Sequence, residues 1–327
     1  MKDRYFQFIR GILIFLVILI HCMYQNDSIY SNYINIVIRS TINFCVAVFI
    51  FLSGYFTNRE KVLENSKKYI YHRFKRLVIP LFIFSLLYTF IGILKKDVNL
   101  VEVILKFISF KSAPHLYYIV VLFQLVVLTP IILKALKNKY LKIILYLITP
   151  MYLIFLGVLK IGFNIDIPFY QYYFAGWLIY YILGLEHDKI KVKSNPTILI
   201  LTLTFTIITN ICVYNINTST YNYVTSQLNI CNMLYILVII PIFLDRKSKY
   251  ISSKINSVIE KIGDFSFGIY FIHILVLKVL GLIFEPIKLR FILYYILMSI
   301  STLVISYILI YLFKKITKNK FDKYLGF

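Results

Sequence analysis

Arg10 and His21 lie eleven residues apart inside an otherwise uncharged stretch, FIRGILIFLVILIHC at residues 8–22. Eleven residues of α-helix turn through about 1100°, roughly 20° more than three full turns, so the two side chains share one face about 16 Å apart along the axis. Ile14 and Val17 fill the stripe between them. An ionisable side chain in an apolar helix is costly and marks a functional site by default. Imidazole is the side chain best suited to accept a hydroxyl proton near neutral pH, and a guanidinium fork suits phosphate or carboxylate.

Other residues with chemical potential fall in similar settings. His115 follows Pro114 where an apolar segment begins, and His273 lies in KIGDFSFGIYFIHILVL, beyond Ser266 and near the middle of another. The remaining histidines, His72 and His187, fall in basic loops, and His187 is expected to be solvated. Arg73 and Arg76 sit at i and i+3 of a helix approaching Pro80, neighbours that suit a nucleotide phosphate arriving from the basic side. The plainer account of basic residues there is anchoring at the membrane surface, which suits Lys67 and Lys68. Ser53 and Gly54, in VFIFLSGYF, are small residues that let a helix or ligand approach closely. Arg39 is expected to reach the outer interface by extending its side chain. The four cysteines, Cys22, Cys45, Cys212 and Cys231, have no metal-ligand spacing and read as inert thiols, with Cys212 and Cys231 near enough in depth to meet.

The elements that carry these residues follow from composition. Of 327 residues 60% are hydrophobic, against about 45–50% in soluble domains, and the mean hydropathy is +0.79. Apolar runs of this length predict helices rather than alternating barrel strands. Ten spans are expected, at 8–25, 34–56, 78–94, 116–133, 143–159, 168–185, 197–214, 228–244, 264–284 and 291–313, which make one all-α polytopic membrane domain over residues 1–327. The net charge of +22 would suggest nucleic acid for a soluble chain. Its distribution says otherwise: the N-terminus, the 57–77, 134–142, 186–195 and 245–261 loops and the tail are rich in Lys and Arg, and the alternating loops are poor in them. By the positive-inside rule both termini are cytoplasmic. The basic, apolar beginning resembles a secretory signal, but no small-residue cleavage site follows and nine more spans do.

In order along the chain, Arg10-x10-His21, FIFLSGYF, the Arg-x-x-Arg of Arg73 and Arg76, HLYYI and GDFSFGIYFIH resemble the motifs of the acyltransferase-3 family of integral-membrane acyltransferases. The resemblance runs from residue 4 to about 275. Two positions depart from the pattern: Gln7 stands where many members have an acidic residue, and Tyr117 where a His-Leu-Trp motif has tryptophan. The chain resembles the stand-alone bacterial type that modifies surface or exported carbohydrate.

The resemblance implies transfer of an acyl group, most often acetyl, from cytoplasmic acyl-CoA to a carbohydrate hydroxyl on the outer side of the bacterial cell membrane. Arg73 and Arg76 would hold the CoA phosphates, with Arg10 facing the same vestibule. His21 would act as general base, a role worth about 10²–10⁴-fold, or form a transient acyl-histidine. His115 would bind the sugar or steady the oxyanion, while Tyr117, Ser53, Ser266 and His273 would support substrate or structure. The expected partners are the bilayer, acetyl-CoA or another acyl-CoA, a carbohydrate acceptor, and further glycan-assembly proteins or a second copy of the chain, with no metal and no nucleic acid. Two other classes suit ten spans with buried histidines: a transporter or flippase for a polysaccharide intermediate, and a membrane scaffold with no need of His21. No matched pair of Gly/Pro-broken spans in two halves supports the transporter.

Overall fold

The computed structural model describes residues 3–23, 29–93, 101, 103, 105, 107, 112–190, 195–251, 253–284, 291–318 and 320–322. The sequence-based readings of Lys2, Lys95, Lys96, Lys106, Lys111, Lys191, Lys193 and Lys323 lie outside them. The α-helices longer than one turn are α1 Arg4–His21, α2 Ile29–Ile42, α3 Phe44–Tyr55, α4 Arg59–Glu64, α5 Ser66–Ile93, α6 Tyr117–Ala135, α7 Lys139–Gly157, α8 Leu178–Leu185, α9 Pro196–Ile216, α10 Ile230–Asp245, α11 Lys254–Asp264, α12 Ser266–Phe284 and α13 Phe291–Ile316. No strand occurs among the described residues. Among the described residues, eight helical segments are long and apolar enough to cross a bilayer, one of them formed by α2 and α3 together. The chain is an all-α polytopic membrane protein.

Several expected spans differ in extent. The first ends at His21 rather than 25, and α5 begins twelve residues before the expected 78, so Arg73, Arg76, Lys67 and Lys68 ride on the spanning helix itself. Pro80 interrupts α5 only locally, because a proline removes one backbone bond and neighbouring helices can compensate. The eighth span is a helix of 16 residues.

The sixth span departs most. Over 168–185 the chain makes two 3₁₀ turns, Tyr170–Tyr172 and Phe174–Gly176, before the eight-residue α8. Backbone that leaves the helix inside an apolar bundle must find partners elsewhere, and here side chains supply them. Gln124 of α6 donates to Tyr172 O at 3.0 Å and accepts from Phe174 N–H at 3.0 Å. Thr149 of α7 donates to Ala175 O at 2.7 Å and accepts from Ile179 N–H at 3.1 Å. The Trp177 indole closes the turn by donating to Gln171 O at 3.1 Å.

Two close crossings hold the interior together. A Cβ on Gly54 would lie 2.3 Å from Tyr181 O, and one on Gly184 would lie 2.1 Å from Phe51 O, so α3 and α8 touch backbone to backbone. Gly54 therefore serves helix packing. A Cβ on Gly263 would lie 1.8 Å from Gln7 O, which makes glycine a condition for laying amphipathic α11 across α1. The start of α1 is fixed further by Asp3, whose carboxylate accepts from Tyr5 N–H and pairs with Lys247 at 3.0 Å.

Candidate active site

Helix α1 is unbroken from Arg4 to His21, so Arg10 and His21 lie on one stripe, and Ile14 and Val17 between them are buried. The stripe faces the bundle interior. His21 is the last residue of the helix and lines a cavity of about 220 Å³ together with His115, Tyr117, Tyr118, Tyr270, Arg39, Gln171, Trp177, Ser226 and Gln227.

Two histidines of the apolar segments, His21 and His115, line it, and the third, His273, packs behind them. Ring centroids are 5.3 Å apart for His21 and His273, 5.0 Å for His115 and His273, and 6.4 Å for His21 and His115. His273, on α12, is fully buried, and its Nδ1 contacts Tyr270 O at 2.7 Å and Ile269 O at 3.1 Å. Both partners are acceptors, so Nδ1 carries the proton and Nε2, which has no hydrogen-bond partner, keeps a lone pair. His115 comes from the 3₁₀ turn Pro114–Leu116, and the Tyr270 hydroxyl donates to its carbonyl. Tyr88 of α5 lays its ring edge against His115 and donates to Phe271 O at 2.8 Å. The arrangement can take a proton from a hydroxyl at His21 and keep further imidazole groups beside it.

Arg39 is not at the outer interface. It lines the same cavity, donating from Nε to Thr225 O at 2.9 Å and from Nη1 to Ile20 O at 3.2 Å. The carbonyl of Ile20 is one of the C-terminal groups that α1 leaves unpaired, and a cation there is favoured by the helix dipole. Gln171, Trp177, Ser226 and Gln227 also line it and were not singled out by sequence reasoning. The only signal for Gln171, Ser226 and Gln227 was the polar residues of the 168–173 and 225–229 stretches, between apolar runs, and Trp177 had none beyond being the chain's one tryptophan.

At the other end of the stripe Arg10 stacks over Phe56 at 5.0 Å and lies within electrostatic range of Arg73 and Arg76. Arg73 stacks over Tyr69 at 5.7 Å and Arg76 lies in the field of Arg73. None of the three makes an ion pair or a side-chain hydrogen bond among the described residues. Three guanidinium groups brought together with one carboxylate in range, that of Asp264 near Arg10, leave an excess of positive charge that suits an anion. Of the supporting residues, Tyr117 lines the cavity and stacks on Trp177 with centroids 5.9 Å apart. Ser53 and Ser266 do not line it.

His187 and the cysteines complete the comparison with expectation. His187 is half-buried rather than solvated, its ring 4.0 Å from that of Tyr55 and its Nδ1 2.9 Å from Gly184 O. All four cysteines are free thiols, and Cys212 and Cys231 form no disulfide. Beside His187, burial pushes the Glu186 carboxyl upward, but hydrogen bonds from Lys189, Lys142 and Tyr146 outweigh it and hold the group below the usual glutamate range. The exposed Asp188 carboxyl is lowered by its bond to Arg59.

A family model described as an acyltransferase domain, acyltransferase-3, matches residues 3–311. The chain belongs to the acyltransferase-3 family. It is therefore a membrane acyltransferase, and the matched region contains His21, His115, His273, Arg10, Arg73 and Arg76. No curated protein and no solved structure matches it.

Proposed function

We propose that this acyltransferase moves an acyl group, acetyl in the first instance, from acyl-CoA on the cytoplasmic side to a hydroxyl of a cell-surface or exported carbohydrate in a bacterial cell membrane, with His21 as general base. The observation that carries this reading is the division of α1: three guanidinium groups, with one carboxylate in range, gather around one end, and a polar cavity lined by His21 and His115, with His273 beside them, lies at the other. Arg10, Arg73 and Arg76 bind the phosphates of the donor. His21 removes the proton from the acceptor hydroxyl as its oxygen attacks the thioester carbonyl. The C–S bond then breaks and the departing thiolate takes the proton from the imidazolium. His115, at the cavity wall, contacts the sugar or the carbonyl oxygen, and His273 offers Nε2 as a further acceptor beside His21. A transient acyl-histidine is the alternative: the imidazole nitrogen attacks the thioester carbonyl and the C–S bond breaks, then the acceptor oxygen attacks the acyl carbon, the C–N bond breaks and the hydroxyl proton passes to the imidazole. Trapping label on the protein before acceptor is added separates it from direct transfer.

The test is transfer of radiolabelled acetyl from acetyl-CoA to surface glycan in membranes containing the wild-type chain or His21→Ala. Transfer by the wild type and none by a folded His21→Ala supports the proposal. Substantial transfer by that variant removes His21 from the mechanism. Export of glycan without acetylation would favour the transporter reading.

A further inference from the structure

We propose that the cavity beside His21 selects an acceptor that carries an oxyanion group, carboxylate or phosphate, and that Arg39 binds that group. The inference rests on the acyl-transfer reading and names the substrate class of the same cavity.

Arg39 has five N–H donors, and two are used, toward Thr225 O and Ile20 O. Among the described residues the other three have no partner, and Arg39 has no ion pair. The residues lining the cavity include Arg39 and two histidines but neither aspartate nor glutamate. A cation enclosed in an apolar bundle without a counter-charge is destabilising, and such groups persist where a ligand completes them.

A purely structural role does not need the charge. Asn43 already ties the same segment to the helix, donating from Nδ2 to Thr225 O at 3.1 Å and to Ser226 O at 3.2 Å. A neutral amide could equally donate to Ile20 O. Neutral sugar recognition is also provided for elsewhere in the wall. Gln227 Oε1 is buried without a donor and suits a hydroxyl, while the Tyr117–Trp177 stack suits the apolar face of a sugar ring. Arg39 is left over from that inventory. The donor does not supply the anion, because its phosphates belong at Arg10, Arg73 and Arg76, about 16 Å along α1 from His21.

The test uses the full chain in lipid nanodiscs saturated with CoA, which fills the arginine cluster. Binding of methyl glucoside, methyl glucuronide and glucose 1-phosphate is measured by calorimetry for wild type, Arg39→Gln and Arg39→Lys. One charged probe should bind the wild type roughly tenfold or more tightly than methyl glucoside, as expected for a charge-assisted contact, and which probe does so distinguishes carboxylate from phosphate. The preference should vanish in Arg39→Gln and persist in weakened form in Arg39→Lys. Equal or absent binding of charged and neutral probes by the wild type overturns the inference, as does a preference that survives in Arg39→Gln. A role for Arg39 only in stabilising the transition-state oxygen predicts equal ground-state binding and so falls among the overturning results. If Arg39→Gln fails to bind CoA as a sign of misfolding, the wild-type and Arg39→Lys comparisons still decide. Failure of the wild type to bind CoA at all counts instead against the proposed function.

Discussion

Replacing Gly263 with alanine tests whether the crossing of α11 over α1 sets the position of the arginine cluster. The added Cβ would lie 1.8 Å from Gln7 O, 2.7 Å from Gln7 C and 3.0 Å from Gly11 N, all backbone atoms that cannot rotate away. Ordinary contact begins near 3.4 Å, so relief along the shortest direction needs a displacement of 3.4 − 1.8 = 1.6 Å. Overpacking of this kind costs about 1–3 kcal/mol. Arg10 is one turn beyond Gln7 on the same helix and would move with it. A misplacement of about 1 Å in a positioned group can cost up to about a hundredfold in function.

Gly263→Ala should therefore weaken CoA binding by roughly tenfold or more and lower the melting temperature of the protein in nanodiscs. Gly92→Ala is the control, since a Cβ there meets nothing within 4 Å. It should leave both quantities unchanged or raise stability slightly, as expected when alanine replaces a helical glycine. If Gly263→Ala matched Gly92→Ala in melting and in CoA affinity, the crossing would not be what places Arg10.

Three further outcomes follow from other parts of the molecule. Arg73→Ala or Arg76→Ala should each weaken acyl-CoA binding by about 1–3 kcal/mol in a titration with CoA, and lysine should only partly restore it; equal loss of folded protein in membranes would instead favour a role in anchoring. The Glu186 carboxyl is held below its ordinary range, so its contribution to stability is full at pH above the unfolded value of about 4.3 and is lost as pH falls through the lower folded value. Melting curves should show that acid-side loss in the wild type and a smaller one in Glu186→Gln, and identical pH profiles would contradict it. Reporter fusions at Lys191 and Lys320 should both report cytoplasm, and an outer signal at either breaks the proposed orientation.

What could be read from the sequence was what depends on local periodicity. Arg10 and His21 belong to one helix, so eleven residues suffice to put them on one stripe, and long apolar runs suffice to place most spans. The sixth span could not be read in the same way, because its apolar composition equals that of a helix while its actual backbone is stabilised by Gln124 and Thr149, dozens of residues away. Arg39 was misplaced for a related reason. Sequence distance to the membrane surface suggested that it reaches water, whereas the acceptors that turn it inward, Ile20 O and Thr225 O, come from a helix end and a turn distant in the chain. The meeting of His115 and His273 with His21 is likewise a tertiary fact, since each residue alone reads as a polar group in an apolar segment.

The two ends of the α1 stripe are joined at Tyr118. Its side chain is buried, lines the cavity, and packs edge-on against Tyr270, the residue whose hydroxyl binds the His115 carbonyl. It also lies within electrostatic range of Arg10 and Arg73. Tyr118 is therefore the residue that connects the cavity beside His21 with the arginine cluster, as the proposed transfer between two ligands would need. The irregular backbone at 170–177 and 225–228 fits the same need. Two helices continued straight through those stretches would keep their backbone bonds internal, leaving no turn to present Gln171, Trp177, Ser226 and Gln227 to the cavity. The departures from regular helix thus fall at the cavity beside His21, and the side-chain bonds from Gln124 and Thr149 are what keep the 170–177 departure from leaving buried backbone unpaired.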